Sequence, residues 1–131
     1  MMPDHLSAEV EPYEQIARFV RNSKDMRRSV GRPGYRAYLP REESGEISVY
    51  RTTDVTDGEI RHIGANYVAT PTSPIKGYCC LVASAFLVEG LYILPAPDRH
   101  YRHANVAGWD NDAENRLIAR RLAEQADLVE Y

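Results

Sequence analysis

The chain predicts an α+β fold: a small two-layer single domain of about four short strands with helices packed on one face, joined to a basic irregular N-terminal segment. Three observations carry that reading. Strand-like alternation and helix-like periodicity are mixed along the chain without a strict strand–helix–strand order. Two helix starts place a capping side chain three positions before an acid, at Thr56/Glu59 and Asn111/Glu114. With 131 residues, 44% of them hydrophobic, the chain can bury one core over residues 1–131 without cross-links.

A first helix is expected from about Pro12 to Asn22. Pro12 suits a first turn, the acids Glu9, Glu11 and Glu14 lie near the start, and Tyr13, Ile16, Phe19 and Val20 form an apolar stripe. The stretch from Ser23 to Glu46 carries Gly31, Pro33, Gly34, Pro40 and Gly45, too many breakers for a long regular element. Residues 1–45 therefore read as a helix and an irregular segment, and residues 46–131 as the α+β core. Residues 46–52 alternate Ile47, Val49 and Arg51 against Ser48, Tyr50 and Thr52, which predicts a strand.

Behind Thr56 a helix places Ile60, Ile63, Tyr67 and Val68 on one face and closes at Pro71 and Pro74. A third helix is expected over roughly Lys76 to Glu89, apolar nearly all round and ended by Gly90, and so central to the core. Residues 91–95 and 103–108 read as strands stopped by Pro95 and Gly108. A last helix over about Asp112 to Gln125 turns Leu117, Ile118 and Leu122 inward, and residues 127–131 add an edge strand.

The net charge of −3 hides an asymmetry. Residues 18–41 hold eight basic side chains and one acid, Asp25, beside an acidic remainder. The longest apolar run, Cys79 to Val88, is too short to cross a bilayer, and the N-terminus lacks a basic-then-apolar leader pattern. A cytoplasmic protein with no membrane partner is the expectation. Cys79 and Cys80 are adjacent, which rules out an ordinary disulfide between them and makes a poor zinc site, so both read as small buried residues.

The densest cluster of hydrogen-bonding groups is residues 97–109. His100 and His103 have a spacing found in some metal sites, but Arg99 and Arg102 beside them oppose a cation, so no metal is expected. No glycine-rich phosphate loop and no Gly-x-Ser-x-Gly elbow occurs, and no cofactor is called for.

The leading expectation is an accessory protein that binds a partner macromolecule, first of all another protein, through Arg27, Arg28, Arg32 and Arg36 with Tyr35 and Tyr38. A basic arm of this kind can equally fold back on its own acidic body or hold a small anion. An alternative is a small enzyme or ligand sensor whose pocket uses His103, Asn105 and Arg51, with Arg99; it requires Arg51 and His103 to meet in one cleft. A nucleic-acid-binding module is a further alternative, with arginines on phosphates and tyrosines on bases, although a sequence pI near 5.8 argues against a dedicated one.

The stretches SVYRT, EIRHIG, RHANVAGW and AENRLIARRLAE resemble a group of small bacterial proteins without an assigned activity. These have a strand ending in Arg-Thr and a His-Ala-Asn-(Val/Ile)-x-Gly-Trp element before a terminal helix. The likeness covers residues 47–126, with His103, Ala104, Asn105, Val106, Gly108 and Trp109 as its specific part and Asp110 where a proline often stands. It implies a bacterial or phage origin and no particular chemistry.

Overall fold

Six strands form one antiparallel sheet in the computed structural model, which describes residues 6–131. The elements in chain order are β1 (Gln15–Val20), β2 (Met26–Arg27), β3 (Arg32–Pro33), β4 (Ile47–Arg51), α1 (Asp57–Ile63), β5 (Gly77–Val82), α2 (Ala83–Val88), β6 (Tyr92–Pro95), β7 (His103–Ala107), α3 (Asp112–Gln125) and β8 (Asp127–Glu130). The sheet order is β6-β7-β4-β1-β5-β8, and β2 and β3 form a separate two-stranded ribbon. Among the described residues three α-helices accompany the sheet, making a small single-domain α+β fold.

The capped elements fall where the sequence puts them. Thr56 Oγ1 accepts from the Glu59 amide and Asn111 Oδ1 from the Glu114 amide, so in each helix one orphaned first-turn N–H is satisfied by a side chain. The strand β4 keeps its expected alternation: Ile47 and Val49 join the larger core, and Tyr50 the smaller.

Leu117, expected to face inward on α3, is exposed. Three larger expectations also fail, and two share one cause. The helix expected over Pro12 to Asn22 is the strand β1, and the helix expected over Lys76 to Glu89 is the strand β5 followed by the short helix α2. Both strands lie inside the sheet and are covered on both faces. Ile16 and Val20 enter one core, while Ala17 and Phe19 enter the other; Cys79 and Leu81 likewise oppose Tyr78. A strand buried on both faces loses its period-two signature and reads as a greasy helix.

The third correction concerns layering. Helices α2 and α3 and the 3₁₀ turn Tyr35–Tyr38 cover one face around Phe86, Tyr38, Ile118 and Leu122, while α1 covers part of the other with Ile60 and Ile63. Helices thus lie on both faces of a six-stranded sheet, where one covered face and about four strands were expected. No described helix is long and apolar enough to cross a membrane.

The close approach of β5 to β8 and to the β2 ribbon depends on Gly77. A Cβ there would sit 2.5 Å from the Val129 carbonyl oxygen and 2.8 Å from the Met26 methyl. Gly77→Ala is therefore expected to destabilise the fold by about 1–3 kcal/mol through overpacking. A lower urea midpoint at unchanged slope would register it; an unchanged midpoint would mean the β8 edge gives way freely.

Candidate functional site

The site begins with a gap in the sheet. β1 pairs with β5 along its whole length, from Gln15 to Val20, but with β4 only at Ile16↔Arg51 and Ala17↔Tyr50. β4 meanwhile stays paired to β7 as far as Ile47. Beyond Ala17, then, β1 and β4 diverge, and their facing edges have no ladder between them.

Arg18 bridges the gap. Its Nε donates to the Ala37 carbonyl at 3.0 Å and its Nη1 to the Ser48 carbonyl at 2.9 Å, so a side chain stands in for the missing strand pairing. Over the gap opens a pocket of about 890 Å³. It gathers six cationic side chains, Arg18, Arg21, Arg36, Arg41, Lys76 and Arg99, against one acid, Asp25. Among the described residues, the only ion pair these six make is a loose one, from Arg41 to Glu43 at 3.9 Å.

The electrostatic consequences are visible in the groups themselves. Burial presses the Arg18 guanidinium below its ordinary pKa, and Arg41 and Arg21 add like-charge repulsion, partly offset by Cys79 and Tyr38. Burial raises the Asp25 carboxyl, against the opposing pull of Arg36 and Arg18. An uncompensated cation cluster in a concave site focuses a positive field and draws anions.

The pocket also has an aromatic side. Phe19, Tyr50 and Tyr67 line it, with Phe19 and Tyr50 in edge contact at 5.5 Å and Tyr67 edge-on to His100 at 4.7 Å. Tyr50 is 1% exposed, and its hydroxyl has no hydrogen-bond partner within bonding geometry among the described residues. Burial raises its pKa, while the nearby Arg99 guanidinium pulls the other way. A buried hydroxyl without a partner is costly, and here it belongs to a residue lining a cationic pocket.

His103 supports the floor of this pocket from β7. Its Nδ1 lies 2.8 Å from the Ala96 carbonyl, which can only accept, so Nδ1 carries the proton. Its Nε2 is then the acceptor for the hydroxyl of Ser48, 2.5 Å away. Ser48 lines the pocket directly.

The residues singled out in the sequence scatter to three places. Arg51 does not share a cleft with His103. Alternation along β4 puts it on the opposite face from Ser48 and Tyr50, 1% exposed, with its Nε and Nη2 each 2.8 Å from Glu14 carboxylate oxygens. Asn105 follows His103 on the same face of β7, outside the pocket lining. His100 accepts the Arg102 amide at Nδ1 and stacks on Tyr101.

The basic segment divides in the same way. Arg27 pairs with Glu124 at 2.7 Å, Arg28 pairs with Glu130, and Arg32 lies 3.5 Å from Asp127 while donating to the Ala126 carbonyl. Tyr35 carries the Arg120 guanidinium over its ring at 4.9 Å, and Tyr38 is fully buried edge-on to Phe86. Of the residues proposed for a partner, Arg36 alone lines the pocket.

What the sequence reading missed is Ser48, Tyr50 and Lys76, together with the role of Arg18. The clustered arginines of residues 18–41 were the available signal, because four of them, at 18, 21, 36 and 41, are pocket cations. No protein-family model, curated protein or solved structure matches the chain.

Proposed function

We propose that the protein binds a small, multiply charged anion of the phosphate-bearing class in the pocket between β1 and β4. The observation that carries this reading is the cation count: six basic side chains around one cavity, facing one acid. Arginines present planar donor forks suited to phosphate oxygens, and the aromatic side offers a face for an attached ring. The cavity has the size of a small-ligand site.

A macromolecular partner on the basic segment is less well supported. Arg27, Arg28 and Arg32 would have to leave Glu124, Glu130 and Asp127 to reach it.

The test is thermal unfolding at low ionic strength with inorganic pyrophosphate. Binding to the native state alone should add about 2.7 kcal/mol when the ligand stands at a hundred times its Kd, seen as a rise in melting temperature. The double variant Arg36→Ala/Arg99→Ala should lose most of that rise. No rise with phosphate, pyrophosphate or a mononucleotide, or a rise that survives the double variant, would overturn the reading. Tight, salt-steep binding of a single-stranded oligonucleotide with no pyrophosphate effect would move the function to nucleic acid instead.

A further inference from the structure

We propose that Ser48 is a nucleophile and His103 its general base, which makes the pocket an esterase site for carboxylic esters that carry a negative charge. The proposal rests on the anion reading for the charge of the substrate only. The activation of the hydroxyl stands on its own geometry.

Three groups are aligned for it. The Ser48 hydroxyl donates to His103 Nε2 at 2.5 Å, and His103 Nδ1–H donates to the Ala96 carbonyl at 2.8 Å. That is a nucleophile, a base and a third group that fixes the base's tautomer and ring plane, the arrangement by which a serine hydroxyl becomes reactive. The backbone under the nucleophile is held as well, since Arg18 Nη1 grips the Ser48 carbonyl. His103 is 9% exposed, so the imidazole is shielded while Ser48 faces the cavity.

The surroundings fit the charge that would develop. Tyr50 sits two residues along the same face of β4 with a hydroxyl that has no partner within bonding geometry among the described residues, and it lines the same cavity. With the pocket cations it can stabilise an oxyanion, the charge that acyl transfer creates. The remaining cations bind the acid group of the substrate.

The chemistry balances with water as the only co-reactant. Ser48 Oγ attacks the ester carbonyl carbon; the new C–O bond forms as the carbonyl π pair moves to oxygen, and the Oγ proton passes to Nε2. Collapse expels the alcohol oxygen, which takes the proton from Nε2 and leaves an acyl-serine. Water then attacks the acyl carbon, giving its proton to Nε2. Ser48 Oγ leaves and recovers that proton, and the carboxylic acid departs.

The pocket contains its own comparison. Ser73 also lines it, and among the described residues it makes no hydrogen bond to an imidazole; its backbone pairs with Thr70. The intact protein is treated with a fluorophosphonate and the labelled peptides are mapped by mass spectrometry. Ser48 is expected to label at least a hundredfold faster than Ser73, and His103→Gln is expected to abolish the difference. Equal or absent labelling of both serines in wild-type protein that melts cooperatively would overturn the proposal, whether or not His103→Gln folds. The anion reading is separated by substrate choice. A p-nitrophenyl monoester of succinate should be cleaved with a higher kcat/KM than p-nitrophenyl acetate, and Ser48→Ala should remove both activities. Pyrophosphate stabilisation without Ser48 labelling sinks the esterase and spares the anion site. Ser48-dependent cleavage with no preference for the charged ester does the reverse.

Discussion

Glu14→Ala is expected to lower stability by about 3–5 kcal/mol, the usual cost of stranding one partner of a buried ion pair. Glu14 and Arg51 are 4% and 1% exposed, and both carboxylate oxygens lie 2.8 Å from guanidinium nitrogens. The pair closes the end of β4 against the segment before β1, because Arg51 Nη2 also donates to the Glu9 carbonyl and the Glu11 amide donates to Glu14. Arg51 Nη1 has no partner among the described residues, so a lost carboxylate leaves little to compensate. Arg102, whose Nη1 donates to the Arg51 carbonyl, places a second charge nearby.

Burial by itself would raise the Glu14 pKa. The Arg51 hydrogen bonds, the Glu11 amide and the charges of Arg51 and Arg102 outweigh it, and the net shift is downward from 4.5. A carboxylate with a lowered folded pKa contributes stability above its unfolded pKa and loses it as pH falls through the folded value. Wild-type stability should thus decline as pH drops below about 4.5 with a slope that Glu14→Ala lacks. Denaturant melts at pH 7 and pH 3 measure both effects. The double variant Glu14→Leu/Arg51→Met should recover most of the loss, since an apolar pair carries no stranded charge. If Glu14→Ala melts like wild type, the ion pair contributes nothing to the fold.

The parts of this protein that announced themselves are the ones whose pattern survives burial. α3 keeps an exposed face and a cap at Asn111 with Glu114, and β4, although four of its five residues are buried, keeps the alternation of Ile47 and Val49 against Ser48. β1 and β5 show water to neither, and Phe19 and Val20, neighbours in the chain, enter different cores. The same dryness conceals the site. Its gap exists because β1 leaves β4 after Ala17, a fact about three-dimensional pairing that no local pattern encodes. The arginines at 18, 21, 36 and 41 were visible as a basic run, whereas Lys76, Arg99 and Tyr50 arrive from separate elements. Arg51 attracted notice as a strand arginine and proves to be an ion-pair partner on the other face. His103 mattered, through a serine that carried no motif.

Arg18→Met should have the largest effect on ligand binding of any single change. It removes the charge at the centre of the cation cluster and both hydrogen bonds that span the split. One hydrogen bond to a charged group is worth about 1.5–3 kcal/mol, so pyrophosphate affinity should fall roughly ten- to a hundredfold. The Ala37 and Ser48 carbonyls also lose their donor, which should cost the fold a further ~1–3 kcal/mol. Arg18→Lys separates the two losses: it keeps a cation but cannot span both carbonyls with a planar fork. Calorimetric titration of pyrophosphate at two salt concentrations reads the affinity, and a urea melt reads the fold. The expected order of binding is wild type, then Lys, then Met, with both variants less stable than wild type. If Met binds pyrophosphate as wild type does while the fold weakens, Arg18 is a strut across the gap and the rim cations alone hold the anion. If Lys and Met lose binding equally, the geometry of the fork between β1 and β4 matters more to the site than the charge it carries.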